Sequence, residues 1–260
     1  MGKISTGQTL RSAERLLQVL GTFTLERPSR SIADIAAELR LAASTVRRLV
    51  TTLESYGYLH AEGASGRYRP HVQALRLAGV AIAGFDLIRA AAPVMDTLAE
   101  QTGEAIELTV RSGASAVVVS SRVSKALFRL VRPVGSTYLC YRGAAAGKVL
   151  LAWLDEPTLG PLLPPKGVWR GNVPQSITRT PDLLAALHDV RKQGYATNIA
   201  EREADVWVVA APVRDYTNDV VAALGIPCLA SRVPATERRR LTRMVCAAAK
   251  TLSQAAHLDT

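Results

Sequence analysis

The run from Ser31 to Pro70 constrains the fold more than any other part of the chain. "SIADIAAELR" opens on Ser31 with Asp34 three residues on, the spacing of a capping box with Asp in place of Glu or Gln. Ile32, Ile35, Ala36 and Leu39 give this helix an apolar side. A short link, "LAA" (41–43), leads into "ASTVRRLVTTLESYG" (43–57), where Val46, Leu49, Val50 and Leu53 recur at i, i+3, i+4 and i+7. Gly57 stands where a left-handed cap residue is expected. "YLH" and "RYRP", set around "AEGASG", then predict a small hairpin. Upstream, "TLRSAERLLQVLGTF" (9–23) carries Leu10, Ala13, Leu16, Leu17 and Leu20 at helical spacing. Helix, helix, helix, hairpin is the plan of a winged helix-turn-helix.

That plan assigns work to the face opposite the apolar stripe of 43–57. Ser44, Thr45, Arg47, Arg48 and Thr51 lie off it or at its edge. In a helix-turn-helix the N-terminal residues of the second helix reach base edges. Arginine bonds bidentately to guanine, and hydroxyls with first-turn N–H groups suit phosphate. Arg67 and Arg69 of the hairpin are candidates for the DNA backbone or a minor groove. The competing reading makes Arg47 and Arg48 a solvated face with Glu38 and Glu54 as partners; the flanking helix, tight turn and wing favour DNA. Charge agrees. The chain is +10 overall, and residues 1–76 hold eleven Lys or Arg against six acids. The same excess would suit a non-specific architectural DNA protein, although such a role needs no large second domain. Single-stranded RNA is less well served, because no interleaved aromatics offer stacking platforms.

Residues 71–84 read as a connecting helix. Residues 86–101 read as the first helix of a second domain, with Asp86 as a capping candidate and Pro93 in its first turn or at a kink. From 104 the pattern turns to strands. "AIELTVRS" and "SAVVVSSRV" flank Gly113, and "FRLVRP", "YATNIAE", "VWVVAAPVRD" and "DVVAALGIPCLAS" follow. Helices are expected at 144–154, 182–193 and 235–256, and the proline-rich 155–181 as a long ordered loop or lid. The class is therefore α+β in two domains: residues 1–70 a winged helix-turn-helix, 71–85 a linker helix, and 86–260 an α/β sensor-like domain with a curved, largely antiparallel sheet.

Other signals exclude more than they assign. Three scattered cysteines with no CxxC or Cys/His spacing argue against a disulfide framework or a metal site and fit a reducing cytoplasm. The N-terminus shows no apolar signal region, and the most apolar run, 75–95, is broken by Arg76, Asp86 and Arg89, so no membrane span is expected. "GAAAGKV" falls one residue short of a phosphate-binding GxxxxGK, and Val149 follows the lysine. "ERRR" (237–240) reads as a solvated helix face. No nucleophile–base pattern supports the alternative of a small-molecule enzyme with a basic appendage, so no catalytic residue and no cofactor is expected.

Taken together, "LRSAERLLQVL", "SIADIAAELRLAASTVRRLVTTLESYGYL", "GRYRP", "GAAAGKVLLA" and "GYATNIAEREADVWVVAAPVRDYTNDVVAAL" resemble the IclR family of bacterial transcription regulators, in order and spacing, over nearly the whole chain. The resemblance implies a ligand-responsive regulator with an N-terminal winged helix and a C-terminal effector-binding domain related to GAF-type sensor folds. It also implies a dimer or dimer of dimers on a palindromic double-stranded operator, and a small organic or aromatic acid as effector. By this likeness the effector pocket gathers Gly143, Ala144, Ala145, Asn198, Glu201, Trp207, Val208, Gly225 and Pro227. Where the family often carries Cys and Ser, this chain has Val208, Gly225 and Pro227, and Asp205 stands at a common Gly position. Those departures lead to the expectation of a larger or more apolar effector, such as an aromatic acid or derivative.

Overall fold

A computed structural model describes residues 10–123, 130, 132–142 and 144–255. The chain divides into two compact units, residues 1–84 and 85–260. The first contains α1 (Arg11–Gly21), β1 (Arg30–Ser31), α2 (Ile32–Leu39), α3 (Ala43–Ser55), β2 (Leu59–Ala61), β3 (Arg67–Pro70) and α4 (Val72–Ala83). Val19, Ile35, Val46, Val50, Leu53 and Leu59 form its core, so the stripes of three short helices meet in one place.

Both ends of the predicted helix pair are held by backbone chemistry. The Ser31 side chain accepts from the Asp34 N–H at 3.1 Å, and the Asp34 carboxylate accepts from the Ser31 N–H at 3.1 Å, a complete capping box. These bonds hold the Asp34 carboxyl below the usual carboxylate range. At the end of α3, Gly57 adopts φ +73°; its N–H bonds Glu54 O at 2.9 Å and the Tyr58 N–H bonds Leu53 O at 2.8 Å, the paired bonds of a Schellman cap. The wing has three strands in the order β1-β3-β2; the short edge strand β1 was not expected from sequence.

The second unit contains α5 (Asp86–Thr102), β4 (Ile106–Ser112), β5 (Ser115–Arg122), β6 (Thr137–Leu139), α6 (Ala145–Ala152), α7 (Glu156–Leu159), α8 (Thr180–Gln193), β7 (Ala196–Ile199), β8 (Val206–Arg214), β9 (Val220–Leu229) and α9 (Ala235–Ala255). Its six strands pair antiparallel in the order β6-β5-β4-β9-β8-β7. Strand alternation sends Ile106, Leu108, Trp207, Val209, Leu224 and Ile226 to one face, which packs α5 and α9. Val206, Val208, Ala210 and Ala223 face the other way, toward α6 and α8.

Three expectations change. Asp86 does not cap α5: it lies in the first turn and pairs with Arg89 at 2.6 Å, while Phe85 takes the cap position. Pro181 belongs to the first turn of α8, which starts at Thr180, since its missing N–H costs nothing there. The strand expected at "FRLVRP" falls largely outside the described residues, and β6 lies beyond it at Thr137–Leu139.

Candidate DNA-reading and effector sites

Ser44, Arg47, Arg48 and Thr51 are exposed on α3, and Thr45 is half-buried. The acids proposed as their bland partners are engaged elsewhere. Glu38 accepts from Arg27 at 2.8 Å and from buried Arg30 at 2.9 Å, and Glu54 accepts from the Ala61 N–H at 3.2 Å. Among the described residues, neither Arg47 nor Arg48 pairs with an acid. Two cations not singled out from sequence join this surface. Arg15 of α1 lines a groove of about 480 Å³ with Thr45, Arg48, Leu49 and Thr52. Exposed Arg40 ends α2 in the left-handed region at φ +54°. Only packing reveals the first, because α1 and α3 meet across the core.

The two wing arginines differ. Arg67 donates from Nη2 to Ser29 O at 2.6 Å and from Nε to Ser29 Oγ at 3.1 Å, and it lies 3.6 Å from Asp34. Its guanidinium therefore ties the wing to the start of α2. Arg69 is more exposed, with one long contact to Glu62 at 3.8 Å.

In the second unit, the residues expected to line the effector pocket gather on one sheet face, with one exception. Asn198, Val208 and Pro227 stand in one cross-strand row over β7, β8 and β9. Gly225, two residues from Pro227, pairs with Glu107 of β4. Ala144 and Ala145 start α6 against the same face, and both are buried. Gly143 lies outside the described residues. Trp207 is the exception and a correction: alternation turns it to the opposite face, where it is 2% exposed in the α5/α9 core with Arg238 stacked 5.8 Å from its ring. Its neighbour Val208 takes the other face, in the row with Asn198 and Pro227, for the same reason.

The same region of the second unit also carries buried charge that the sequence reading did not single out. Glu201 receives two hydrogen bonds from Lys148 Nζ, each at 2.8 Å, and Lys148 is only 5% exposed. Glu107, 4% exposed, lies 3.4 Å from Arg132, which reaches Glu203 at 3.3 Å. Arg202 stacks over Tyr138 at 4.4 Å. Burial raises the pKa of Glu107 and of Glu201, against the pull of Arg132 and Lys148 respectively, and burial pushes the Tyr138 hydroxyl up to about 12. Glu107, Lys148, Arg132 and Arg202 were not found from sequence, because each sits among apolar or solvent-typical neighbours and only the sheet register and the 130–142 segment bring them together. Residues 169–177 pack beside Glu201 and Arg202: Ser176 donates to Glu201 O at 2.7 Å, and Arg142 donates to Arg170 O at 3.0 Å. The space left beside Glu201, Ser176 and Arg202 is about 10 Å³, room for about one water.

A Cβ on Gly147 would stand 2.4 Å from Cys140 O, so this glycine lets α6 press onto the turn at 140–142. Among the described residues no three His, Cys, Asp or Glu side chains are placed to hold a metal.

Comparison with known proteins agrees along the whole chain. The family "IclR helix-turn-helix domain" matches residues 12–63, and "Bacterial transcriptional regulator IclR C-terminal" matches residues 80–254. The HTH-type transcriptional regulator XynR of Escherichia coli (strain K12) is 30% identical over 247 residues, covering 95% of this chain and 97% of XynR. The IclR transcriptional regulator of Alicyclobacillus acidocaldarius shares the fold with a TM-score of 0.84 at 24% identity, over 96% of this chain and 100% of that one. An IclR homolog from Microbacterium hydrocarbonoxydans, solved in complex with 4-hydroxybenzoate, shares it at 21% identity and a TM-score of 0.75, over 94% and 98% of the two chains. With exposed α3 arginines that meet no acid among the described residues, and buried charged pairs on the sheet of a second unit, the chain belongs to the IclR family of ligand-responsive, DNA-binding transcriptional regulators.

Proposed function

We propose that the protein works in the cytoplasm as a homodimer, or a dimer of dimers, on a palindromic operator, with Ser44, Thr45, Arg47, Arg48 and Thr51 of α3 entering the major groove and Arg69 meeting phosphate. The observation that carries this reading is the freedom of Arg47 and Arg48 from the acids Glu38 and Glu54. A palindrome needs two reading heads related by a two-fold axis. Val72, Leu75, Leu77, Val80 and Ile82 on α4 and Leu10 and Leu17 by α1 are exposed, more apolar surface than a lone helix leaves to water, and a second copy would cover it. No single helix among the described residues is long and apolar enough to cross a membrane.

The effector is a small organic acid bound where Ala144, Ala145, Asn198, Glu201, Val208, Gly225 and Pro227 meet. The 4-hydroxybenzoate held by the Microbacterium hydrocarbonoxydans homolog supports an aromatic acid or derivative. Ala144, Ala145, Asn198 and Val208 are buried, so an acid reaches them only if neighbouring side chains move. Footprinting on the DNA upstream of the protein's own gene, with and without benzoate-class acids, tests both halves. A discrete protected palindrome that an acid strengthens or releases is expected; uniform, salt-sensitive protection of all DNA would support the architectural alternative instead.

A further inference from the structure

The sheet face that packs α5 and α9 carries a second concave feature, away from the row of Asn198, Val208 and Pro227. A groove of about 790 Å³ lies between the first turns of α9 and the edge strand β7. Sites for small organic molecules have this size, about 300–1,000 Å³. Three arginines of α9 line it, Arg238, Arg239 and Arg243, together with the hydroxyl residues Thr197 and Thr236; among the described residues no carboxylate does.

The three cations are placed in different ways. Arg238 is fixed: Nε donates to Val233 O at 2.9 Å, Nη2 donates to Ala230 O at 3.2 Å, and the guanidinium lies 5.8 Å from the centre of the Trp207 ring. Neither bond uses Nη1. Arg239 and Arg243 are exposed, and among the described residues neither pairs with an acid. The acids on neighbouring stretches are engaged elsewhere: Glu237 with Arg240, Glu104 with Arg232 and Asp205 with Ser231. Arg239 and Arg243 stand four residues apart on one helix, where like charges destabilise it. A helix face that meets only water gains from an acid at either position. Here α9 instead gathers three guanidinium groups within about 7.5 Å of its length, all against one groove.

We propose that this groove binds a small anion with two or more phosphate groups, an oligophosphate or a nucleoside polyphosphate, as a second ligand apart from effector and operator. Guanidinium forks match phosphate oxygens bidentately and stay charged throughout the physiological range. A single carboxylate leaves cations of the groove unmatched, whereas a chain of phosphates meets all three. The fixed Arg238 orients the ligand at low entropic cost, and the exposed Arg239 and Arg243 supply the remaining forks.

The test is calorimetric titration of the full-length protein, at one ionic strength, with tripolyphosphate, ATP, sulfate and a Glu-rich peptide. Tripolyphosphate or ATP is expected to bind about ten-fold or more tightly than sulfate. Arg239→Gln/Arg243→Gln is expected to remove that preference. Arg47→Ala/Arg48→Ala, which alters the α3 surface that also attracts phosphate, is expected to leave it in place. Both α9 positions are exposed and Gln suits a helix, so an unchanged denaturant midpoint checks the fold. If the α9 variant does not fold, the preference over sulfate in the wild type and the α3 variant decides. ATP binding without tripolyphosphate supports a nucleotide as the ligand, and equal binding supports the phosphate chain alone. No binding, or sulfate binding as tightly as the phosphates (an adventitious ion only), overturns the inference. So does a preference that survives Arg239→Gln/Arg243→Gln or disappears with the α3 variant, and so does tighter binding by the peptide. None of these outcomes bears on the operator or effector readings above.

Discussion

A methyl group at position 147 would stand 2.4 Å from the Cys140 carbonyl oxygen and 2.9 Å from its Cα, both backbone atoms that cannot step aside. Gly147→Ala is therefore expected to cost about 1–3 kcal/mol by forcing α6 off the turn at 140–142, read as a lower denaturant midpoint with an unchanged slope. Ser31 acts through hydrogen bonds instead. Ser31→Ala removes half of the capping box and is expected to cost about 1 kcal/mol at neutral pH. The sign of its pH dependence follows from Asp34. Its folded-state pKa is depressed, chiefly by the Ser31 N–H and hydroxyl, so the associated stability is present above the unfolded value and fades as pH falls through the folded one. The difference between wild type and Ser31→Ala should shrink below about pH 4, near the unfolded Asp value, in melts run as a pH series. A difference that holds constant down to pH 2 would assign the loss to the Asp34 N–H bond to the Ser31 hydroxyl, which does not titrate, and not to the carboxylate. Asp205 shows a third use of a polar side chain. It occupies the left-handed region at φ +55° and accepts from the Ser231 N–H at 2.9 Å and from its hydroxyl at 2.8 Å, so an Asp serves where the family commonly has Gly.

At the scale of elements, α3 divides its labour by angle around the helix. Val46, Val50 and Leu53 are buried, and Ser44, Arg47, Arg48 and Thr51 are exposed. Arg47→Ala is expected to relax base preference at one operator position by about 1–3 kcal/mol while leaving random DNA nearly unaffected. Arg69→Ala should weaken all sequences alike and lower the salt slope by about one. Competition binding on operator and scrambled duplexes separates the two, and equal losses from Arg47→Ala on both would remove it from base reading. Arg67 belongs with stability as well as with DNA, since two of its donors hold Ser29. Most of these elements were legible because their signals are local: heptad-like stripes, a capping pair and a glycine after the last apolar residue need no partner to be read. The wing's third strand was not, because Arg30–Ser31 is a strand only by virtue of lying beside β3. Trp207 was misplaced for a related reason. A strand's period gives two faces, yet one sequence does not say which face meets which helices, and a single-residue step exchanges them.

For the whole molecule, a regulator requires that effector and operator affect each other's binding by the same factor, about 5–150-fold in typical systems. A saturating cognate acid should change the operator Kd by that factor, and operator DNA should change the acid's Kd equally; an acid affinity identical with and without operator would mean that the bound acid is not the effector. The sequence by itself determined the order of the elements, the winged helix, the exposed face of α3 and the family, because local periodicity, caps and ordered motifs survive without knowledge of contacts. Only the tertiary structure decided where buried charge gathers on the second unit's sheet. Glu107, Arg132, Lys148, Glu201 and Arg202 come from distant stretches of the chain, and their pairing and burial exist only once an antiparallel sheet has set its register.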